Sequence, residues 1–346
     1  MMRASSMATA ALLLAAAGMS KAQDGAARPL FETDRPLELT VEAPFRRLAR
    51  NLDERTDLAG VVRYRDMNGD VAIDIGIRIR GKSRLEICDF PPLRVDFERA
   101  NLDGTVFAGQ DHLKLVTLCK RRGAYREYLA QEYQIYKAYN ALTDHSFRVR
   151  WASVTYVDTE ARRVKPFTEP AFFIEEDWQV AERHGFDALD VAAVELAELD
   201  ARGGALLSLF QFMIGNTDWS AITAAPDESC CHNSKPIGSA GGRIVVLPYD
   251  FDHAGLISAE YARPRSHLGI RSVRQRLYRG HCAMNGELDW AVRRFNERRP
   301  AIERAFDAQP VSERTRARTL AYVADFYEIV NDPHTRQQNI LGVCRN

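Results

Sequence analysis

What this chain lacks narrows the field first. Its 47 basic and 47 acidic residues cancel, so no global field draws it to nucleic acid or to an anionic membrane. No CxxC pair occurs among its six cysteines, and the adjacent Cys230-Cys231 lacks zinc-ligand spacing, which argues against a thiolate metal centre. Past the N-terminal segment no apolar run is long enough to span a bilayer. There is no glycine-rich GxGxxG loop, no HRD triplet and no internal repeat. What is there is a chain of 346 residues, 46% hydrophobic and 27% charged, a globular composition with room for one large domain or two lobes.

The first residues read as an export signal. Arg3 supplies the positive region, "MATAALLLAAAGM" (Met7 to Met19) a short apolar core, and Ser20-Lys21-Ala22 the small residues a signal peptidase reads. A signal peptide over 1–22 places the mature protein in the periplasm or outside the cell, with an uncleaved anchor as the alternative. In that oxidising setting Cys88, Cys119, Cys230, Cys231, Cys282 and Cys344 read as disulfides. Cys88 with Cys119 is one expected pair; Cys230 and Cys231 are expected to partner Cys282 and Cys344.

Residues 23–44 read as a flexible polar segment. "LAGVVRYRD" and "DVAIDIGIRIRG" then flank Met67-Asn68-Gly69, a hairpin signal, with Val71, Ile73, Ile75, Ile77 and Ile79 alternating against polar positions. "PLRVDFER" and "HLKLVTLC" read as further strands, each with a basic residue inside an apolar run. Tyr125, Leu129, Tyr133, Tyr136 and Tyr139 recur at helical spacing, and two more strands end in the acidic turn Glu175-Glu176-Asp177. "ALLSLFQFMIG" (205–215) is apolar on every face and reads as a helix buried all round. The split is thus a sheet-rich part over 45–177 and a helix-rich part over 178–346, with an inter-lobe cleft as the expected ligand site.

Three polar clusters follow apolar elements in the second part: Asn216-Thr217-Asp218, His232-Asn233, and Asp250-Phe251-Asp252 after "VVLPY". Carboxylates beside a buried strand are costly unless a cation compensates them. Either a basic side chain neutralises them, with the arginine-rich stretch from Arg263 to Arg279 as the rival, or they hold a metal. An oxygen-only set suits Mg²⁺ or Mn²⁺.

The series "IRIRGKS" (77–83), "LRVDF" (93–97), "LKLVT" (113–117), "YREYLAQE" (125–132), "FFIEE" (172–176), "NTDWS", "HN" and "PYDFD" resembles the spore-coat protein H family of atypical, kinase-like phosphotransferases. The resemblance implies an α+β, two-lobed protein-kinase-like fold, with an N-terminal antiparallel sheet lobe carrying one helix and a mostly helical C-terminal lobe. It implies Asp218 as the catalytic aspartate that engages the acceptor hydroxyl. Asn233, Asp250 and Asp252 would hold the metal, and ATP or another nucleotide would be the donor. Lys114 would contact its phosphates with Glu132 as ion-pair partner, Glu175 and Glu176 would meet its base, and the basic residues of "IRIRGKS" would approach phosphate over Gly81. A protein or small-molecule hydroxyl would be the acceptor, and the chain would act as a monomer.

Two departures stand against that reading. Asn233 follows Asp218 by fifteen positions, far more than in a short catalytic loop, and ATP is scarce outside the cytoplasm. The alternatives are a catalytically inactive envelope or surface interaction protein and a metal-dependent phosphoesterase.

Overall fold

A computed structural model of the chain describes residues 28–50, 56–81, 83–97, 100–161, 163–226, 228–239 and 241–346. The expected signal over 1–22 and Lys82 of "IRIRGKS" lie outside them. Seven strands close into a barrel in the order β1-β2-β3-β4-β5-β7-β6. They are β1 (Leu37–Ala43), β2 (Leu58–Asp66), β3 (Gly69–Ile79), β4 (Leu93–Asp96), β5 (His112–Thr117), β6 (Val149–Asp158) and β7 (Phe167–Ile174). Neighbours run antiparallel except β1 and β6, which pair in parallel from Leu37 with Ala152 to Ala43 with Asp158.

Period-two patterning explains the filling. Ile73, Ile75, Ile77 and Ile79 of β3 are buried with Leu39, Val41, Leu93, Val95, Leu113 and Leu115 inside the barrel. The expected hairpin forms: Asp66 Oδ1 accepts from the amides of Asn68 at 2.7 Å and Gly69 at 3.1 Å.

Eight helices accompany the strands among the described residues: α1 (Phe45–Arg50), α2 (Ser83–Ile87), α3 (Gly123–Leu142), α4 (Asp177–Arg183), α5 (Ala201–Ile214), α6 (Leu288–Ala305), α7 (Glu313–Asn331) and α8 (Pro333–Arg336). A second sheet runs β10-β9-β8, from β8 (Asp187–Ala188), β9 (Ser234–Gly238) and β10 (Val245–Pro248). The tyrosine face of α3 packs on the outside of the barrel, where the Tyr133 and Phe172 rings meet edge-on at 5.7 Å. Ala171–Ile174 of β7 is therefore buried on both faces, which its unbroken apolar run reflects. Residues Ala205 to Ile214 of α5 are all buried in the larger, helical core. No described helix is long and apolar enough to cross a membrane.

This architecture overturns the expected two-lobed, protein-kinase-like fold with its antiparallel sheet lobe: the strands form a closed mixed barrel. The segment expected to be flexible is the reason. Leu37, Leu39, Val41 and Ala43 alternate into the core, and the strand they form pairs on both edges, so no sheet edge is left open. Cys88 and Cys119 are bonded as expected. The other expected pairs are corrected: Cys230 bonds Cys231, and Cys282 bonds Cys344. Three disulfides suit an oxidising, exported compartment.

Candidate functional site

A cavity of about 980 Å³ opens between the outer wall of β3–β5 and the segments that follow α5 and β10. Its barrel wall carries a row of like charges. Ile77, Leu93, Val95, Leu113 and Leu115 turn inward, so the intervening residues turn out together. In register, Arg78 stands opposite Arg94, and Arg94 opposite Lys114. Like charges directly opposite one another destabilise a sheet, so such a row needs counter-charge. Arg78 finds Asp57 at 3.3 Å, and Lys114 is paired to Glu176. Burial pulls the Lys114 ammonium down from its ordinary pKa, Glu176 opposes, and the Arg80 guanidinium adds to the fall.

Arg80, Arg94 and Lys235 also line the cavity, and their side chains form no ion pair or hydrogen bond with any described residue. Arg94 Nε is buried without a partner. Seven Lys or Arg side chains line this space against five Asp or Glu.

On the facing side, Gly215 ends α5 in the left-handed region at φ 64°, where an added Cβ would lie 2.1 Å from the Tyr322 hydroxyl. The chain thereby turns into Asn216-Thr217-Asp218. Arg279 secures the turn by donating to the carbonyls of Thr217 and, at 3.0 Å, Trp219. The Asp218 amide donates to Asn216 Oδ1 at 2.9 Å. Three side chains converge on Asp218. His232 Nε2 lies 2.9 Å from Oδ1, Arg265 Nε donates to Oδ1 at 2.7 Å, and Asn233 Nδ2 donates to the Asp218 carbonyl at 2.7 Å and to Oδ2 at 3.2 Å. Burial alone would raise the Asp218 carboxyl. The hydrogen bonds and charges of His232 and Arg265 instead hold it far below the usual carboxylate range.

A second cluster lies deeper. Arg84 of α2 is held by three carboxylates: Glu132 Oε1 and Oε2 at 2.9 and 3.0 Å, Asp250 Oδ1 at 3.0 Å and Asp252 Oδ2 at 2.9 Å. Its side chain is 12% exposed. Asp250 takes a left-handed φ of 58°, and its amide donates to the Tyr136 hydroxyl at 3.0 Å. Burial pushes the Glu132 carboxyl up to about 7, against the pull of Arg84, and it raises Asp250 likewise.

The expected site residues thus fall into two groups. Asp218, Asn233, Asp250, Asp252, Lys114 and Glu176 all line one cavity, although they are far apart in sequence. Their pairings differ from expectation. Lys114 pairs with Glu176 and not with Glu132, whose partner is Arg84. Glu175 is buried against Arg183 at 2.8 Å and the Arg148 amide at 2.9 Å, so its carboxylate is tied to the scaffold. Asn233 uses its Nδ2 on Asp218. The basic residue that neutralises Asp250 and Asp252 comes from α2, not from the stretch Arg263–Arg279.

The expected metal ligands are engaged within the protein. No group of three His, Cys, Asp or Glu among the described residues is placed to hold a metal ion, and the Arg84 guanidinium supplies the positive charge that Asp250 and Asp252 require. Sequence reasoning missed Arg84 and Lys235, which depend on tertiary placement. Arg94 carried a signal as a charge inside an apolar strand, and Arg265 lies in the arginine-rich stretch singled out in the sequence, although it pairs with Asp218 and not with Asp250 or Asp252. Comparison of the chain with protein-family models returned no match, and comparison with curated proteins returned none either.

Proposed function

We propose that the cleft binds a phosphate-bearing anion and transfers a phosphoryl group from it to a hydroxyl on a protein or small molecule, in an exported protein. The reading rests on one observation: Arg94 and Lys235 line the cavity with no ion pair to any described residue, and Arg80 beside them is answered only by the longer-range charge of Asp250. Unpaired cations facing one space cost free energy that an oxyanion recovers through charge-assisted hydrogen bonds. Kinship with the spore-coat protein H family is part of this proposal.

The chemistry asks for positioning and charge neutralisation. The acceptor oxygen forms a bond to phosphorus while the bridging P–O bond breaks, and the leaving phosphate keeps the electron pair. Arg80, Arg94 and Lys235 neutralise that charge. Asp218 orients the acceptor hydroxyl, and His232, hydrogen-bonded to Asp218, carries its proton onward. Arg265 and His232 both cap Asp218 Oδ1, so Arg265 must turn towards phosphate before Oδ1 can meet the acceptor hydroxyl. That cap also favours a second reading, binding without turnover.

Calorimetric titration with orthophosphate, pyrophosphate and ATP tests the binding claim. At least one should bind the wild type and fail to bind Arg80→Gln/Arg94→Gln, while exposed Arg314→Gln on α7 behaves as wild type. No binding by any of the three contradicts the proposal. Phosphorus NMR of the bound mixture with a serine peptide then separates transfer, which Asp218→Asn abolishes, from binding alone.

A further inference from the structure

His232 and Arg265 meet Asp218 in an arrangement whose hydrogens cannot satisfy every contact. An imidazole nitrogen either carries a hydrogen or presents a lone pair. His232 Nε2 lies 2.9 Å from Asp218 Oδ1 and 2.8 Å from Arg265 Nη2. The Asp218 carboxylate stays ionised and only accepts, whereas a guanidinium only donates. One of the two contacts on Nε2 is therefore a hydrogen bond and the other is not.

The guanidinium decides which. Arg265 Nη2 carries two hydrogens and bonds Oδ1 while facing Nε2. With the ring proton on Nδ1, Nη2 serves both acceptors, and its positive charge lies against the lone pairs of Oδ1 and Nε2. With the proton on Nε2, two N–H groups confront each other at 2.8 Å. His232 Nδ1 forms no hydrogen bond with any described residue, so a hydrogen there meets no opposing donor.

The ring is held in place and the guanidinium is not. The His232 amide donates to the Thr223 carbonyl at 3.0 Å, and its carbonyl accepts from the Ser220 amide at 2.9 Å. The Arg265 side chain is 45% exposed, and among the described residues its guanidinium bonds only Asp218 and His232. An ion pair this open to solvent holds weakly. Arg265 lines the same cavity as Arg94 and Lys235, so an oxyanion bound there competes with Asp218 for it.

We propose that Arg265 gates the Asp218–His232 pair. Seated, it occupies both Oδ1 and Nε2 and keeps the ring proton on Nδ1. Drawn away by an oxyanion, it leaves two acceptors 2.9 Å apart with no hydrogen between them, and the pair takes up one proton at Nε2. An acceptor hydroxyl in the vacated place supplies that proton, and Nδ1 releases its own to solvent. The pair thus acts as a base only when phosphate is bound. The trigger rests on the phosphate reading above; the seated state does not.

Nitrogen-15 NMR of the full chain labelled at histidine is the test, in weakly alkaline buffer where imidazole is neutral. His232→Gln identifies the resonances. The free wild type should show Nε2 at the downfield position of a bare nitrogen and Nδ1 protonated. Arg265→Ala should move Nε2 upfield to the protonated position, with circular dichroism and melting to check that the variant is folded. Wild type saturated with whichever of orthophosphate, pyrophosphate and ATP it binds should show the same shift. A protonated Nε2 in the free wild type would overturn the gate, as would an unmoved Nε2 in folded Arg265→Ala. A phosphate compound that binds by calorimetry but leaves Nε2 bare would overturn it too, while sparing the phosphate site. Silence from every phosphate compound would instead overturn the functional reading and the trigger with it, and the free and Arg265→Ala spectra would still decide the seated state.

Discussion

Two charged regions lie side by side in this protein and behave as opposites. Around Arg84, three carboxylates close on one guanidinium, and the cluster is rich in acid. Along the wall of β3–β5, basic side chains face one another, and Arg94 forms no ion pair with any described residue. The first region has turned its charges inward and satisfied them. The second answers Arg78 with Asp57 and Lys114 with Glu176 but leaves Arg94 between them without an ion pair. A cluster of acids is thus poor grounds for a metal site when a buried arginine is within reach, and a cation left without an ion pair is better grounds for a ligand.

The largest effect expected from breaking this contrast is at Arg84. Arg84→Met would leave Glu132, Asp250 and Asp252 facing one another without compensation, and urea denaturation should show a loss of about 3–5 kcal/mol. A loss under 1 kcal/mol would mean that the carboxylates are solvated and the cluster is not closed. The cationic wall should respond in the other direction. Arg94→Gln should leave stability unchanged or raise it by about 0.2–1 kcal/mol, because it relieves repulsion with Arg78 and Lys114. The same substitution should cost about 1.5–3 kcal/mol in binding a phosphate ligand. A clear loss of stability would show that Arg94 has a partner within the fold.

Acidity sharpens the contrast further. Burial raises Glu132 to about 7, so between about 4.5 and 7 the folded protein holds a proton that the unfolded chain has released, and this group's contribution falls as pH rises through that window. Glu176 behaves oppositely: burial opposes its ionisation, but Lys114 and His112 bring it down to about 2. Its contribution is present above about 4.5 and is lost as pH falls towards 2. Glu132→Gln should therefore flatten the neutral-side slope of stability against pH, and Glu176→Gln the acid-side slope. Exchange of these two signatures would contradict the assignment of charge in both regions.

Much of the scaffold was legible in sequence because it depends on local periodicity. The Asn68-Gly69 hairpin, the alternating isoleucines of β3, the tyrosine face of α3 and the fully buried α5 all took the form their spacing predicts. Barrel closure was not legible. It needs Leu37–Ala43 to pair in parallel with a strand more than a hundred residues away, and no short-range pattern encodes such a contact. The site divides in the same way. Gly81 and the arginines of "IRIRGKS" stood out beside Asp218, Asn233 and Asp250, and all of those line the cavity. Which base answers which acid was hidden, since Arg84 reaches Asp250 and Asp252 from the other half of the chain, and Lys114 chose Glu176 over Glu132.

The most direct test is to locate an anion. A crystal grown with tungstate, a heavy phosphate mimic, gives an anomalous signal that marks where the protein supplies uncompensated positive charge. The expected result is a peak in the cleft within hydrogen-bonding reach of Arg80 and Arg94, with Lys235 facing it and the Arg84 cluster undisturbed. A crystal with strong tungstate peaks elsewhere and none against this wall would contradict the claim that the cleft is built to take phosphate.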